Sequence, residues 1–180
     1  MKFYLMIFST IFLTIITLGI VAPNSYKIER VILIQKPIDQ VFSHLKILKN
    51  HDQWSAWAKK DPLMKKEFSG TDGTLGFMAS WISENKEVGT GEQEITNIIE
   101  GEKLETKIRL KKPFEVSFNN YFIAEKISET ETKVKMGITD QIPFPANILS
   151  FIVNNFLGQK RKLEQDMDAS LKDLKILLEK

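Results

Sequence analysis

The apolar and polar positions follow three different rhythms along this chain. From Phe3 to Ala22 the sequence FYLMIFSTIFLTIITLGIVA carries no charged side chain. A helix rising 1.5 Å per residue covers about 30 Å over such a run, the thickness of a bilayer's hydrocarbon core. Its four hydroxyls, Ser9, Thr10, Thr14 and Thr17, can return hydrogen bonds to their own helix, and Pro23-Asn24-Ser25 ends it.

From Tyr26 onward the period shifts to two, broken by one amphipathic helix. Tyr26–Ile34 (YKIERVILI) is rich in β-branched residues and predicts a strand, stopped at Lys36-Pro37. Over Pro37–Leu48 the residues Ile38, Val41, Phe42, Leu45 and Leu48 recur at helical steps, with Pro37 suited to the first turn. Asn50–Ala58 is a short turn or helix carrying Trp54 and Trp57. Strands are then expected over Met64–Ser69, Leu75–Ser83, Val88–Ile99, Lys103–Leu110, Val116–Lys126 and Thr132–Thr139. The breaks between them are too short for parallel crossovers, so the pairing is antiparallel. Leu104, Thr106, Ile108 and Leu110 alternate with Glu105, Lys107 and Arg109, and Val134, Met136 and Ile138 with Lys133 and Lys135. Leu75, Phe77, Ala79 and Trp81 share a face in the same way. Each strand therefore has one dry and one wet side, as in a sheet covered on one face.

The third rhythm is a step near 3.5 residues. Leu149, Ile152, Phe156, Leu163, Met167, Leu171, Leu174 and Leu178 keep to it, predicting a helix from about Pro145 to Glu179 that is roughly 50 Å long. The order is strand, helix, six antiparallel strands, long helix. It specifies an α+β helix-grip fold, in which a seven-stranded antiparallel curved sheet wraps around a long C-terminal helix that covers its dry face. One N-terminal transmembrane helix precedes it. The boundaries are 1–24 for the anchor and 25–180 for the domain.

A cleavable signal peptide competes with the anchor. It requires a basic start, an apolar stretch of about 7–15 residues and a small-x-small cleavage site. Here the basic start is only Lys2 and the amino terminus, the run is longer, and Ala22 has Ile20 two positions before it and Pro23 after it. The pattern favours an uncleaved single-pass anchor that meets the bilayer through residues 3–22. Lys27, Arg30 and Lys36 against Lys2 lean the domain towards the cytoplasm by a narrow margin. With no cysteine, the chain is neither a lipoprotein nor palmitoylated, and either compartment fits. Lys and Arg number 25 and Asp and Glu 23, and only Lys2 belongs to the apolar run. A near-neutral domain gives no electrostatic basis for nucleic acid as a partner.

Several local motifs carry a family likeness. Tyr26-Lys27-Ile28-Glu29-Arg30, the helix start Pro37-Ile38-Asp39-Gln40-Val41-Phe42, and Trp54-Ser55-Ala56-Trp57-Ala58 followed by Asp61-Pro62 resemble the polyketide cyclase/dehydrase-like branch of the START/Bet v 1-like (SRPBCC) superfamily. Lys112-Pro113-Phe114, Pro143-Phe144-Pro145 and the C-terminal helix resemble it too, so that the likeness runs from about Tyr26 to Leu178. The resemblance implies an apolar cavity between sheet and long helix that holds lipids, polyketides or other hydrophobic molecules.

Chemistry-bearing residues are sparse. Two histidines and no cysteine assemble no zinc site, and neither a G-x-S-x-G elbow nor a phosphate loop is present, so no metal and no cofactor is expected. His44 falls on the polar side of its helix and His51 in a loop. Gly89-Thr90-Gly91 sits in a strand and predicts a β-bulge or close packing. Glu92 and Glu94 alternate with Gln93 and point to water, and Asp140 follows the last strand as a turn residue or at a cavity mouth. The aromatic residues are the stronger candidates. Trp54, Trp57, Phe77, Trp81, Phe118, Phe122 and Phe156, with Ile108 and Met136, are expected to line a pocket, and Gln93 and Asn120 to supply its polar contacts. Basic pairs at Lys59-Lys60, Lys65-Lys66, Lys111-Lys112 and Lys160-Arg161-Lys162 are solvated or lipid-facing. The function expected is a membrane-tethered module holding a small hydrophobic molecule. A cyclase- or dehydrase-type enzyme using a cavity carboxylate and a protein-interaction domain are the alternatives.

Overall fold

The alternating segments form seven strands, β1 (Ser25–Ile34), β2 (Lys65–Ser69), β3 (Met78–Ile82), β4 (Thr90–Ile99), β5 (Lys103–Lys112), β6 (Val116–Lys126) and β7 (Thr132–Gln141). In the computed structural model, which describes residues 2–113 and 115–180, they make one antiparallel sheet in the order β1-β7-β6-β5-β4-β3-β2. The Lys112-Pro113-Phe114 motif is described only as far as Pro113. Helix α1 (Lys2–Val21) precedes β1 and buries none of its residues. Helix α2 (Ile38–Leu45), a 3₁₀ helix (Leu48–Gln53) and the short α3 (Ala56–Lys59) connect the two edge strands β1 and β2. Helices α4 (Ala146–Phe156) and α5 (Gln159–Leu178) close the chain.

Register gives the sheet two ends. At the near end, beside α1, Ser25 pairs with Gln141, Arg109 with Ser117, Gly91 with Leu110, and Lys65 with Ile82. At the far end, Ile34 pairs with Thr132, Lys103 with Ile123, and Ser69 with Met78. The dry face is covered by α5 and the α2–α3 segment. At the far end Ile34, Val41, Leu45, Leu104, Phe122, Val134, Leu171 and Leu174 pack into a continuous core that also takes in Leu48, Trp54, Phe77 and Ile95. At the near end the buried apolar cluster consists of Ile28, Ile138 and Met167.

The single C-terminal helix expected from Pro145 to Glu179 is two helices. Gly158, at φ +72°, separates them in a left-handed conformation that glycine adopts without the steric penalty of a Cβ. That residue resets the helical phase. Leu163, Met167, Leu171 and Leu174 face the sheet, whereas Leu149, Ile152 and Phe156 turn outward with 66%, 37% and 73% exposure. Leu75 also leaves the dry face, because β3 begins only at Met78 and Leu75 stands in the preceding exposed turn. The bulge expected at Gly89-Thr90-Gly91 is present as a register shift between Thr90 and Gly91. A Cβ on Gly91 would lie 2.7 Å from the Trp81 ring and 2.8 Å from the Arg109 carbonyl oxygen, so only glycine fits that close approach.

Candidate functional site: an apolar cavity at the near end

The W-S-x-W element builds one wall. Ser55 caps α3, its Oγ accepting from the Ala58 amide at 3.4 Å. Ser170 on α5 accepts from the Ala56 amide at 2.9 Å and donates to the Asp166 carbonyl at 2.7 Å. These bonds fasten the turn to α5 and hold Trp54 and Trp57 against the space between sheet and helix. Lys60, over the Trp57 ring at 5.5 Å, bonds Asp166 at 2.5 Å, and Asn85 Nδ2 donates to the Lys60 carbonyl at 3.0 Å. The Asp61-Pro62 loop is thereby tied to the β3–β4 turn, where Ser83 donates to Asp61.

The space so enclosed is a cavity of about 170 Å³. The sheet contributes Ala79 and Trp81 from β3, Gln93 from β4, Ile108 and Leu110 from β5, Phe118, Asn120 and Phe122 from β6, and Met136 and Ile138 from β7. Helix α5 contributes Leu163, Asp166, Met167 and Ser170. On β4, β5 and β7, and at Trp81 and Phe118, these residues lie towards the near end, where the small Ile28–Ile138–Met167 cluster leaves room; Ala79 and Phe122 border the far-end core. The exposed members of the wall, Asp52 and Phe68, stand by edge strand β2 and mark the side on which the cavity meets solvent.

Nine of the expected pocket residues line this one cavity: Trp54, Trp57, Trp81, Gln93, Ile108, Phe118, Asn120, Phe122 and Met136. Phe77 and Phe156 stand elsewhere. Phe77 is buried in the far-end core, stacked on Phe68 at 6.1 Å between ring centroids. Phe156 is on the outward face of α4, beyond the break at Gly158.

His51 lies in the wall although its sequence context suggested a loop. The 3₁₀ turn carries it inward, against Trp54 at 4.6 Å and Phe122 at 5.3 Å between ring centroids. Burial pushes its pKa down to about 4, so the imidazole is neutral at pH 7. Its Nε2 stands 2.7 Å from the Leu45 carbonyl, which can only accept, so Nε2 carries the proton and Nδ1 is left as an acceptor. No local spacing signals this, since a 3₁₀ helix has no long periodic pattern. His44, expected to face solvent, is half-buried with Nε2 unpartnered, and burial lowers its pKa as well.

The polar lining is distinctive. Trp54 Nε1, Trp57 Nε1 and Asn120 Oδ1 are buried without a hydrogen-bond partner among the described residues. Gln93 Nε2 donates to the Thr106 hydroxyl at 3.0 Å. Both carboxylates in the wall are ion-paired, Asp52 with Lys66 and Asp166 with Lys60. Glu92 and Glu94 lie on the opposite, wet face, where Arg109 bridges them at 3.3 and 2.5 Å and Lys111 bonds Glu92 at 2.7 Å. The Lys111 hydrogen bond is the main reason the Glu92 carboxyl sits below its usual range. Asp140 remains within β7, paired with Tyr26 in register. Among the described residues, no group of three or more His, Cys, Asp or Glu side chains is placed to hold a metal ion.

No family model and no curated protein matches the sequence. Solved structures do match. The crystal structure of Ara h 8.0201 superposes with a TM-score of 0.55 at 13% identity, over 86% of this chain and 97% of that one. Truncated norcoclaurine synthase from Thalictrum flavum gives 0.58 at 11% identity, over 87% and 95%. The Aha1 dimer from Colwellia psychrerythraea gives 0.57 at 15% identity, over 86% and 96%. The fold is the Bet v 1-like helix grip. At these identities the likeness is one of fold, and it agrees with the superfamily that the motifs resemble.

Proposed function

We propose that this chain is a membrane-tethered binding module that holds a small, uncharged, apolar molecule bearing a hydroxyl or carbonyl group. The observation that carries this is the cavity's lining: a mostly apolar wall whose residues Trp54, Trp57 and Asn120 each carry a buried polar atom with no partner among the described residues. An unsatisfied buried donor or acceptor costs roughly 1–3 kcal/mol. The two indole N–H groups suit a ligand oxygen as acceptor, while Asn120 Oδ1 and His51 Nδ1 suit a ligand hydroxyl as donor. Burial of apolar surface supplies affinity at about 25 cal/mol per Å². The paired carboxylates argue for a neutral ligand. A void near 150 Å³ accommodates one aromatic ring, so a cavity of about 170 Å³ favours a single ring or short branched chain. A longer lipid- or polyketide-like body would leave past Phe68.

The tether is supported by α1, the one described helix long and apolar enough to cross a membrane. It is also supported by the way the fold grips the end of that helix. Asn147, itself buried, donates to the Ala22 carbonyl at 3.0 Å and to Asn24 Oδ1 at 2.9 Å, and the Ile142 amide donates to the Asn24 carbonyl at 2.8 Å. A cleaved signal would forfeit the Ala22 contact. The near-end position of the cavity puts it where membrane-dissolved molecules arrive.

The test is organic extraction and mass spectrometry of the full chain purified in lipid nanodiscs, beside an Ala79→Leu variant that narrows the cavity. An oxygen-bearing apolar compound recovered from the wild type and lost from the variant is the expected result. Equal recovery from both, or no compound and no uptake of an apolar fluorescent probe, overturns the proposal.

A further inference from the structure

Helix α4 is amphipathic in reverse. Three of its four polar residues turn towards the protein: Asn147 is buried, and Ser150 and Asn154 hydrogen-bond each other at 3.0 Å beside a shallow cleft shared with Tyr26 and Lys27, while the exposed Asn155 bonds the Phe151 carbonyl of its own helix. Leu149, Ile152 and Phe156 turn outward at steps of three and four residues, and Leu157 and Phe144 extend the same apolar surface at 72% and 60% exposure. No charged residue stands between Asp140 and Lys160. In water such a face carries the full penalty of exposed apolar area.

We propose that α4 lies in the membrane surface, with its Leu149–Ile152–Phe156 face among lipid acyl chains and Lys160 and Arg161 at anionic headgroups. The proposal rests on α1 spanning the bilayer, and it says how the domain is then held. The base of α4 touches the end of α1. A Cβ on Gly19 would lie 3.1 Å from the Phe144 ring, and Asn147 bonds the Ala22 carbonyl. A helix fixed at that point stands at the level where the chain leaves the hydrocarbon. Eleven residues reach about 16 Å, half the hydrocarbon thickness, so α4 lies along the bilayer rather than crossing it. Lys160 and Arg161 follow it, exposed and without an ion pair among the described residues, whereas Lys162 is neutralised by Glu87 at 2.8 Å. A free basic pair beside an apolar helix face matches anionic lipid. The consequence is orientation. The domain is pinned at two points, with the near end of the sheet facing the membrane.

Because the chain has no cysteine, single-cysteine variants report cleanly. Full-length Leu149→Cys and Phe156→Cys, and Glu129→Cys at the far-end β6–β7 turn as control, are labelled with an environment-sensitive dye. They are reconstituted in phosphatidylcholine vesicles with and without phosphatidylglycerol, and carbonate extraction tests the anchor on the same samples. Retention in the membrane, with doxyl-lipid quenching at positions 149 and 156 several-fold stronger than at 129 and greater with phosphatidylglycerol, supports the proposal. Retention with 149 and 156 quenched no more than 129 overturns it and leaves the anchor standing, including where those dyes are instead shielded by a second copy. Quenching that does not depend on phosphatidylglycerol overturns the role given to Lys160 and Arg161. Release by carbonate overturns the anchor and the proposal together.

Discussion

The two ends of the sheet are built from the same strands and covered by the same helix, yet one is solid and the other hollow. At the far end Val41 and Leu45 of α2 share one core with Leu171 and Leu174 of α5 and with Leu104, Phe122 and Val134 of the sheet. At the near end no counterpart of α2 lies between α5 and the sheet. Leu163 and Met167 face Ile28, Phe118, Met136 and Ile138 with a gap left beside them. The void is thus a consequence of where the α2–3₁₀–α3 segment stops and turns at Trp54. Close packing is concentrated at one end and the void lies at the other, and substitutions should separate effects on stability from effects on probe uptake.

The sharpest separation uses one helix and one residue type. Leu174→Ala removes a fully buried side chain from the solid end and should lower unfolding free energy by about 2–5 kcal/mol. Leu163→Ala removes a half-buried side chain at the hollow end and should cost about 1 kcal/mol or less, while weakening retention of an apolar probe. Denaturant titration of both variants measures the difference. Equal costs would mean the two ends are packed alike.

His51 sits at the border and gives the next largest effect. Its pKa is about 4 folded against about 6.5 in a free chain, so between those values the unfolded state binds the extra proton. Its contribution to stability is complete above pH 6.5 and is lost as pH falls towards 4, by about 3 kcal/mol in all. His51→Gln should flatten the stability slope between pH 6.5 and 5, with a smaller slope remaining from His44, whose pKa burial also lowers. An unchanged slope would place His51 in water rather than under Trp54 and Phe122.

A third comparison inserts bulk instead of removing it. Ala124 is buried two residues beyond Phe122 at the solid end, and Ala79 lines the cavity. Ala124→Leu should overpack and cost about 1–3 kcal/mol. Ala79→Leu, with room to occupy, should leave the melting temperature unchanged or raised while abolishing probe uptake. A comparable loss of stability in both would indicate that the hollow closes in solution.

The sequence made one part of this contrast visible and hid the other. Strand order was legible because alternation such as Leu104-Thr106-Ile108 fixes which side is dry, and short polar breaks permit only antiparallel pairing. Seven cavity residues were legible because inward positions on neighbouring strands must converge; Trp54 and Trp57 stand on the turn around α3, where their aromatic character was the only sign. Phe77 was misplaced because alternation says which face a residue takes but not how far along the sheet it sits; the β2–β3 pairing draws it beneath Phe68. The unbroken 3.5-residue stripe concealed the two helices, and Gly158 was the one local sign that its phase is interrupted. His51 escaped notice because a six-residue 3₁₀ segment offers no period to detect.

The smallest expected effect bears most directly on why the near end stays hollow and partly polar. Asn120 faces the dry side between Thr106 and Ile138, is 4% exposed, and has an amide oxygen with no partner among the described residues. Leucine has nearly the same shape and no polar atom to desolvate. Asn120→Leu removes that unsatisfied acceptor, so it should gain about 1 kcal/mol of stability in thermal unfolding whatever the site holds. If Asn120 serves only the fold, the variant should retain the extracted compound as the wild type does. If Oδ1 accepts from a bound hydroxyl, the variant should lose the hydroxyl-bearing ligand in extraction experiments and still take up a purely apolar probe of the same size. Opposite movements of stability and ligand retention from one substitution have a simple physical source: the empty site keeps a polar group underbonded, and the ligand completes it. A variant that binds both compounds as the wild type does would leave the hollow end as an apolar void with no chemical preference.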